Sequence, residues 1–141
     1  MNSIPNCFRL AAAALALIVL PALLPSTPAA AQDPAPGSII NATFTSGIAE
    51  GAPVDFRDQF SAETRVVYFY AEVLDLAGQT VKHRWSREGT VAQEVPIALK
   101  SPRQAAWSSL TMRPDWTGNW TVEVVNGRGE VIGMANFAYN P

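Results

Sequence analysis

The residues able to do chemistry in this chain of 141 are few: one histidine, four tryptophans and a handful of arginines. His83 is the sole imidazole, and one imidazole does not make a metal site. It would need carboxylates such as Glu94, Asp75 or Glu72, which are candidates only by strand proximity. As a general base it would need a nucleophile and an oxyanion hole, and no Gly-x-Ser-x-Gly elbow occurs. The expectation is a hydrogen-bonded, half-exposed His83 near the end of an inner face, with no catalytic residue, no metal and no cofactor.

Recognition chemistry has more to work with. Arg84 and Arg103 are cations close to the motif tryptophans Trp85 and Trp107. Arginine stacked on tryptophan contributes about 0.5–2 kcal/mol and is usually structural, but beside an exposed ring it can hold a carboxylate. Trp116 lies in a turn beside Gly118 and is expected to show a face; Trp107 is ambiguous. Trp85 and Trp120 sit mid-strand in apolar phase and are expected inside. The candidate binding residues are therefore Trp116, Trp107, Arg84, Arg103 and His83.

The elements that must position them have period two. Val67, Phe69, Ala71 and Val73 alternate with Val66, Tyr68, Tyr70 and Glu72 over 65–73, in a β-branched and aromatic stretch suited to a pleated surface. Thr80 to Arg87 follows, with Val81, His83 and Trp85 on one face. Glu88-Gly89 is a tight turn into 90–99, where Glu94 can face Lys82 or Arg84. Pro96 lacks a donor and assigns that segment to a sheet edge or a change of direction. Residues 104–112 form a further strand, and 115–139 a closing hairpin around Asn126-Gly127-Arg128-Gly129. In its last strand Ile132 and Met134 are out of phase with Phe137 and Tyr139, which predicts a bulge near Met134 to Asn136. At the other end 39–48 reads as a first strand with Ile40, Ala42, Phe44 and Ser46 on one face. Residues 49–64 are irregular and read as a long loop pinned by Val54, Phe56 and Phe60.

The start of the chain predicts export. Arg9 precedes an apolar run from Leu10 to Leu24 that is broken by Pro21, and Ala29-Ala30-Ala31 is a small-residue cleavage site. The run is shorter than the roughly 20 apolar residues a spanning helix needs. Residues 1–31 read as a secretory signal cut after Ala31, 32–38 as a flexible lead-in, and 39–141 as the folded domain, placed in the periplasm or outside the cell and not membrane-spanning after cleavage. Cys7, the only cysteine, lies in the signal, so the mature domain has no disulfide and relies on its core. Ten Lys and Arg less Arg9, against twelve Asp and Glu, leave a mildly acidic mature chain. With no basic run, nucleic acid is a poor partner.

Gly78-Gln79-Thr80-Val81-Lys82-His83-Arg84-Trp85, Glu94-Val95-Pro96, Trp107-Ser108-Ser109 and Trp116-Thr117-Gly118-Asn119-Trp120-Thr121-Val122 follow one another in that order. Together they resemble the bacterial family called domain of unknown function 2914, over roughly Ile40 to Tyr139. The resemblance implies an extracytoplasmic β-rich domain and supplies no catalytic residues.

The expected fold is all-β: a single antiparallel sandwich, immunoglobulin-like, with about seven strands, the usual number for that architecture. The expected role is a non-enzymatic protein- or peptide-binding module of the bacterial envelope. A carbohydrate-binding module using exposed tryptophans is the alternative, and a hydrolase using His83 is third.

Overall fold

The most regular stretch in the sequence lies at the centre of a sheet. Val67, Phe69, Ala71 and Val73 all point inward at 1% exposure or less, on a strand whose other residues, Tyr70 apart, are half covered. The computed structural model describes residues 36–141; the expected signal sequence and the lead-in up to residue 35 lie outside the described residues. Ten strands follow in order: β1 Ser38–Thr45, β2 Ile48–Ala49, β3 Ala52–Pro53, β4 Gln59–Ser61, β5 Val66–Leu74, β6 Thr80–Arg87, β7 Thr90–Ala98, β8 Arg103–Thr111, β9 Gly118–Val125 and β10 Val131–Asn140. Seven have eight residues or more.

Eight of the ten form two layers. One is a three-stranded sheet in the order β1-β5-β8, the other a five-stranded sheet in the order β4-β10-β9-β6-β7. All neighbours are antiparallel except β4, which runs parallel to β10. β7 ends its sheet, as Pro96 requires: it pairs with β6 alone, in a register uninterrupted across Lys82 and Pro96. The Glu88-Gly89 turn has both residues at positive φ, 46° and 84°, the twist a two-residue hairpin needs.

Aromatic rings join the layers. Phe44 on β1 lies 5.2 Å from Phe69 on β5 and 4.7 Å from Phe137 on β10. Trp85 meets Phe44 and Phe137 edge-on at 6.2 Å, and Trp120 stacks on Phe137 at 6.0 Å. Such pairs add about 0.5–1.5 kcal/mol each to the burial of their area. A chain without disulfides is held together by this cluster.

Three expectations were wrong in phase or position. Asn41 sits at φ 53° where the β1–β5 register shifts between Ile40 and Thr43. This bulge sends Ile39, not Ile40 or Ala42, to the core with Phe44. Ile39 lies against Gly133, where any Cβ would collide with it. In β10 the register shift falls between Val131 and Gly133, ahead of the expected place. Ile132 packs on the core, while Met134 points outward at 58% exposure.

The expected loop over 49–64 holds structure of its own. β2 and β3 make a small ladder closed by Glu50 and Gly51, both at positive φ. β4 adds the parallel edge to β10. Of the three residues expected to pin this segment only Phe60 is buried; Val54 and Phe56 face solvent. Tyr139 fastens the far end of the segment, its hydroxyl within 3.0 Å of the carbonyls of Ala62 and Thr64. Tyr139→Phe is expected to cost about 1 kcal/mol, read as a lower urea midpoint at unchanged slope.

Candidate functional site

His83 is not at a surface. It is fully buried mid-strand, which corrects the expectation of a half-exposed position near a strand end. β6 runs between β7 and β9, so its inward residues lie deep in the sandwich. His83 Nδ1 lies 2.8 Å from Ser108 Oγ, and the Trp85 indole donates to the same oxygen at 3.0 Å. Burial pushes the imidazole pKa down to about 4, so it is neutral at pH 7. Of the carboxylates proposed as its partners, Glu94 and Glu72 sit on outward faces paired with arginines, and Asp75 is exposed in the turn after β5. Among the described residues no three His, Cys, Asp or Glu side chains converge in a way that could hold a metal.

Arg84 points away from His83, out of the five-stranded sheet. Its guanidinium donates to Glu94 at 2.8 Å and to Glu123 at 3.3 Å, and Lys82 lies 3.8 Å from Glu94. Hydrogen bonding from Arg84 holds the Glu94 carboxyl below its usual range. Solvent screening leaves exposed pairs of this kind only a small contribution to stability. Neither Arg84 nor Arg103 stacks on a tryptophan: Arg113 does, 5.4 Å over Trp116. Trp116 is half buried at a corner, its ring 5.6 Å from Trp120 and its carbonyl accepting the Trp120 indole N–H at 2.9 Å. It holds the entry to β9.

Trp107 and Arg103 share one surface, the outer face of the three-stranded sheet. Trp107 is 47% exposed and stands directly across from Tyr70 in the β5–β8 register. Arg103 donates through Nε to Glu72 Oε2 at 2.6 Å, and the Asn41 amide donates to Glu72 Oε1 at 2.8 Å. These hydrogen bonds, from Asn41 and then Arg103, hold the Glu72 carboxyl below its usual range and keep it anionic. Tyr70, though on an outward face, is 9% exposed. It helps line a cleft of about 450 Å³ with Thr43, Pro53, Phe56 and Glu72.

Phe56 is the residue that sequence reasoning misplaced. It is 78% exposed and forms a wall of that cleft. It also forms a wall of a second cleft, of about 380 Å³, on its other flank with Arg57, Asp58 and Asn136. What holds it out is Asp55. That carboxylate accepts from Thr45 Oγ1, Ser46 N and Ser46 Oγ at 2.7 Å each, and from Arg57 Nε at 2.6 Å. Burial would raise the Asp55 pKa, but these four bonds, led by the Ser46 amide, hold it far below the usual carboxylate range. Thr45 is itself fully buried, so the knot is anchored in the sheet. The sequence signal was an Asp flanked by apolar residues ten positions beyond a Thr-Ser-Gly turn, which is visible only once the chain has folded back.

The five candidates therefore fall on separate surfaces. One outer face gathers Trp107 and Arg103 with Phe56, Tyr70, Glu72 and Asn41. Arg84 belongs to a charge ladder on the other sheet, Trp116 to a corner, and His83 to the core.

No curated protein matches the chain. A crystal structure of a selenomethionine-labelled β-glucosidase from Kluyveromyces marxianus is similar at TM-score 0.40 and 9% identity, over 72% of this chain and 15% of that one. The chain thus spans a small part of that enzyme's length, and so slight a likeness says nothing about activity. The family described as protein of unknown function DUF2914 matches residues 78–139, from just before β6 into β10, so the resemblance expected from Ile40 is found from residue 78 onward.

Proposed function

We propose that this is an exported, non-enzymatic binding module of the bacterial envelope that docks a protein partner on the outer face of its three-stranded sheet. The observation that carries this reading is Phe56, a phenylalanine 78% exposed and held out by a four-bond carboxylate knot beside a cleft lined by Tyr70. Exposing a phenyl ring forgoes about 1.5–3 kcal/mol of burial, and a structured loop that does so is a mark of recognition. Trp107, Tyr70 and Arg103 are of the types that dominate binding hot spots. Export rests on the layout of residues 1–31. The non-enzymatic reading is supported by the position of the only histidine, sealed in the core.

A face suits docking here better than an edge. Pro96 leaves the free edge of β7 short of one donor, which disfavours strand addition. Gln93 on β7 also reaches across to the Ser109 carbonyl of β8 at 3.3 Å, which ties that side shut. A carbohydrate is the second reading, supported by the half-exposed Trp107 ring near the Glu72–Arg103–Asn41 hydrogen-bond set.

The test is capture by chemical crosslinking in the exporting cell, comparing wild type with Phe56→Ala/Trp107→Ala. Two hot-spot truncations at about 2 kcal/mol each should cut capture of a specific protein by more than tenfold. Equal capture by both chains would sink the reading, and release of the partner by free oligosaccharide would favour the second.

A further inference from the structure

The corner that carries Trp116 adjoins a cleft that the docking face does not use. It has a volume of about 340 Å³, and Arg87, Glu88, Val91, Trp116 and Trp120 are among its walls. It forms where the β6–β7 turn meets the entry to β9: the Glu88 amide donates to the Asn119 carbonyl at 3.1 Å. We infer that this cleft binds a free α-amino acid with an aromatic or large apolar side chain, its carboxylate on Arg87 and its ammonium on Glu88. The site is separate from the docking face and does not depend on it.

The charges point to a zwitterion. Arg57, Arg84, Arg103, Arg113 and Arg128 are each paired with a carboxylate at 3.1 Å or less. Arg87 is not: its one bond among the described residues goes to the backbone carbonyl of Asp115, at 3.3 Å. The Glu88 carboxylate has no bonded partner among the described residues, and no ion pair joins it to Arg87. One cation and one anion, each without a countercharge, therefore line the same cleft. Gly118 makes room for the anion. It sits at φ 118°, and a Cβ there would stand 2.8 Å from Glu88 Oε1.

A ligand with a single charge meets one opposite and one like charge here, and the like charge works against it. A zwitterion meets two opposites, and arginine can take a carboxylate through two parallel bonds. The apolar part of the ligand has matching walls in Val91, 52% exposed, and in the Trp116 and Trp120 rings, 5.6 Å apart. The Trp120 indole N–H is bonded to the Trp116 carbonyl, whereas that of Trp116 has no acceptor among the described residues and is open to a ligand. Ligand clefts run from roughly 300 to 1,000 Å³, and this one lies at the end that suits a molecule of amino-acid size.

The experiment follows the indole N–H resonances of the isotope-labelled purified protein by NMR as L-phenylalanine is added. Phenethylamine, which lacks the carboxylate, and hydrocinnamate, which lacks the ammonium, are titrated alongside. The expected result is a saturable shift of the Trp116 and Trp120 signals with phenylalanine, Trp85 and Trp107 staying in place, and binding of either analogue weaker by roughly tenfold or more. Arg87→Gln and Glu88→Gln should each weaken phenylalanine by a similar factor. They should also move the analogues in opposite directions: Glu88→Gln binds hydrocinnamate better than wild type does, and Arg87→Gln binds phenethylamine better, which a loss of structure would not produce. Unmoved Trp116 and Trp120 signals, analogues that bind as well as phenylalanine, or variants that bind it as wild type does would each overturn the inference. A shift confined to Trp107 would place the ligand on the docking face and overturn it as well.

Discussion

Ser108→Ala is expected to destabilise the fold by about 2–6 kcal/mol, a large loss for one hydroxyl. The reason lies in the number of groups that depend on it. Ser108 Oγ accepts the Trp85 indole N–H at 3.0 Å and pairs with His83 Nδ1 at 2.8 Å. All three residues are 4% exposed or less. Alanine would leave two buried polar groups without partners, at about 1–3 kcal/mol each. His83 Nε2 already has no partner, so the imidazole would lose its last bond. Urea denaturation of wild type and variant measures the effect directly. Pairing Ser108→Ala with Trp85→Phe in a double-mutant cycle should show coupling above about 1 kcal/mol, because removing the indole N–H removes one of the orphaned groups. A loss below about 0.5 kcal/mol, the range of an ordinary surface change, would mean the three side chains do not act together.

Acidification from pH 7 to pH 4 is expected to remove roughly 3 kcal/mol of stability through His83 alone. The folded imidazole has its pKa pushed down to about 4 by burial, against about 6.5 in an unfolded chain. Below pH 6.5 the unfolded chain therefore takes up a proton that the folded one refuses. Stability is full above 6.5, falls as the pH drops, and levels off near 4. The window belongs to this residue because it is the only histidine in the chain. The carboxylates held below their usual range, Asp55, Glu72, Glu94 and Glu130, are shifted in the same direction but act in a lower pH window. Their contribution is present above the unfolded carboxylate range of about 4 and is lost only as the pH falls below it. Urea midpoints at stepped pH should fall through this window in wild type and stay flat in His83→Gln. Should that variant fail to fold, imidazole NMR in the wild type decides: titration near 4 supports the account, and titration near 6.5 contradicts it.

What the sequence made legible was whatever depends on period two within one strand. β5 is central and its inward residues are the expected ones. Trp85 and Trp120 are core, Pro96 marks an edge, and Glu88-Gly89 is the turn. What it hid depends on pairing between distant segments. β4 is three residues long and runs parallel to β10, a contact with no local signature. The β1 bulge sits on Asn41, a non-glycine residue at positive φ, so no glycine flags the change of phase. Ser108 reads as one more small residue until the fold sets it between an indole and an imidazole.

The candidate site shows the same division. Arg103 and Trp107 are four apart on one strand, and Tyr70 and Glu72 two apart on another, so each pair is legibly on one face. That β5 and β8 pair with Tyr70 opposite Trp107 is a matter of register, which neither strand reveals alone. Phe56 was expected inside because it is apolar. It stands outside because Thr45 and Ser46, ten and nine residues earlier, hold the neighbouring carboxylate. Hydrophobicity gives a residue a preference for the core, and four charge-assisted bonds on its neighbour outweigh that preference.

The central claim is that recognition runs through Phe56 and its face and not through the other exposed apolar residues. Val91, Val131 and Met134 are also exposed, at 52%, 43% and 58%, and they supply the controls. The direct measurement places a photoreactive phenylalanine analogue singly at positions 56, 107, 91, 131 and 134 of the full-length chain and irradiates intact cells. The account predicts one discrete adduct from positions 56 and 107, a second copy of this chain or another protein, and none from the other three. Adducts from positions 91, 131 or 134 with none from 56 and 107 would contradict it.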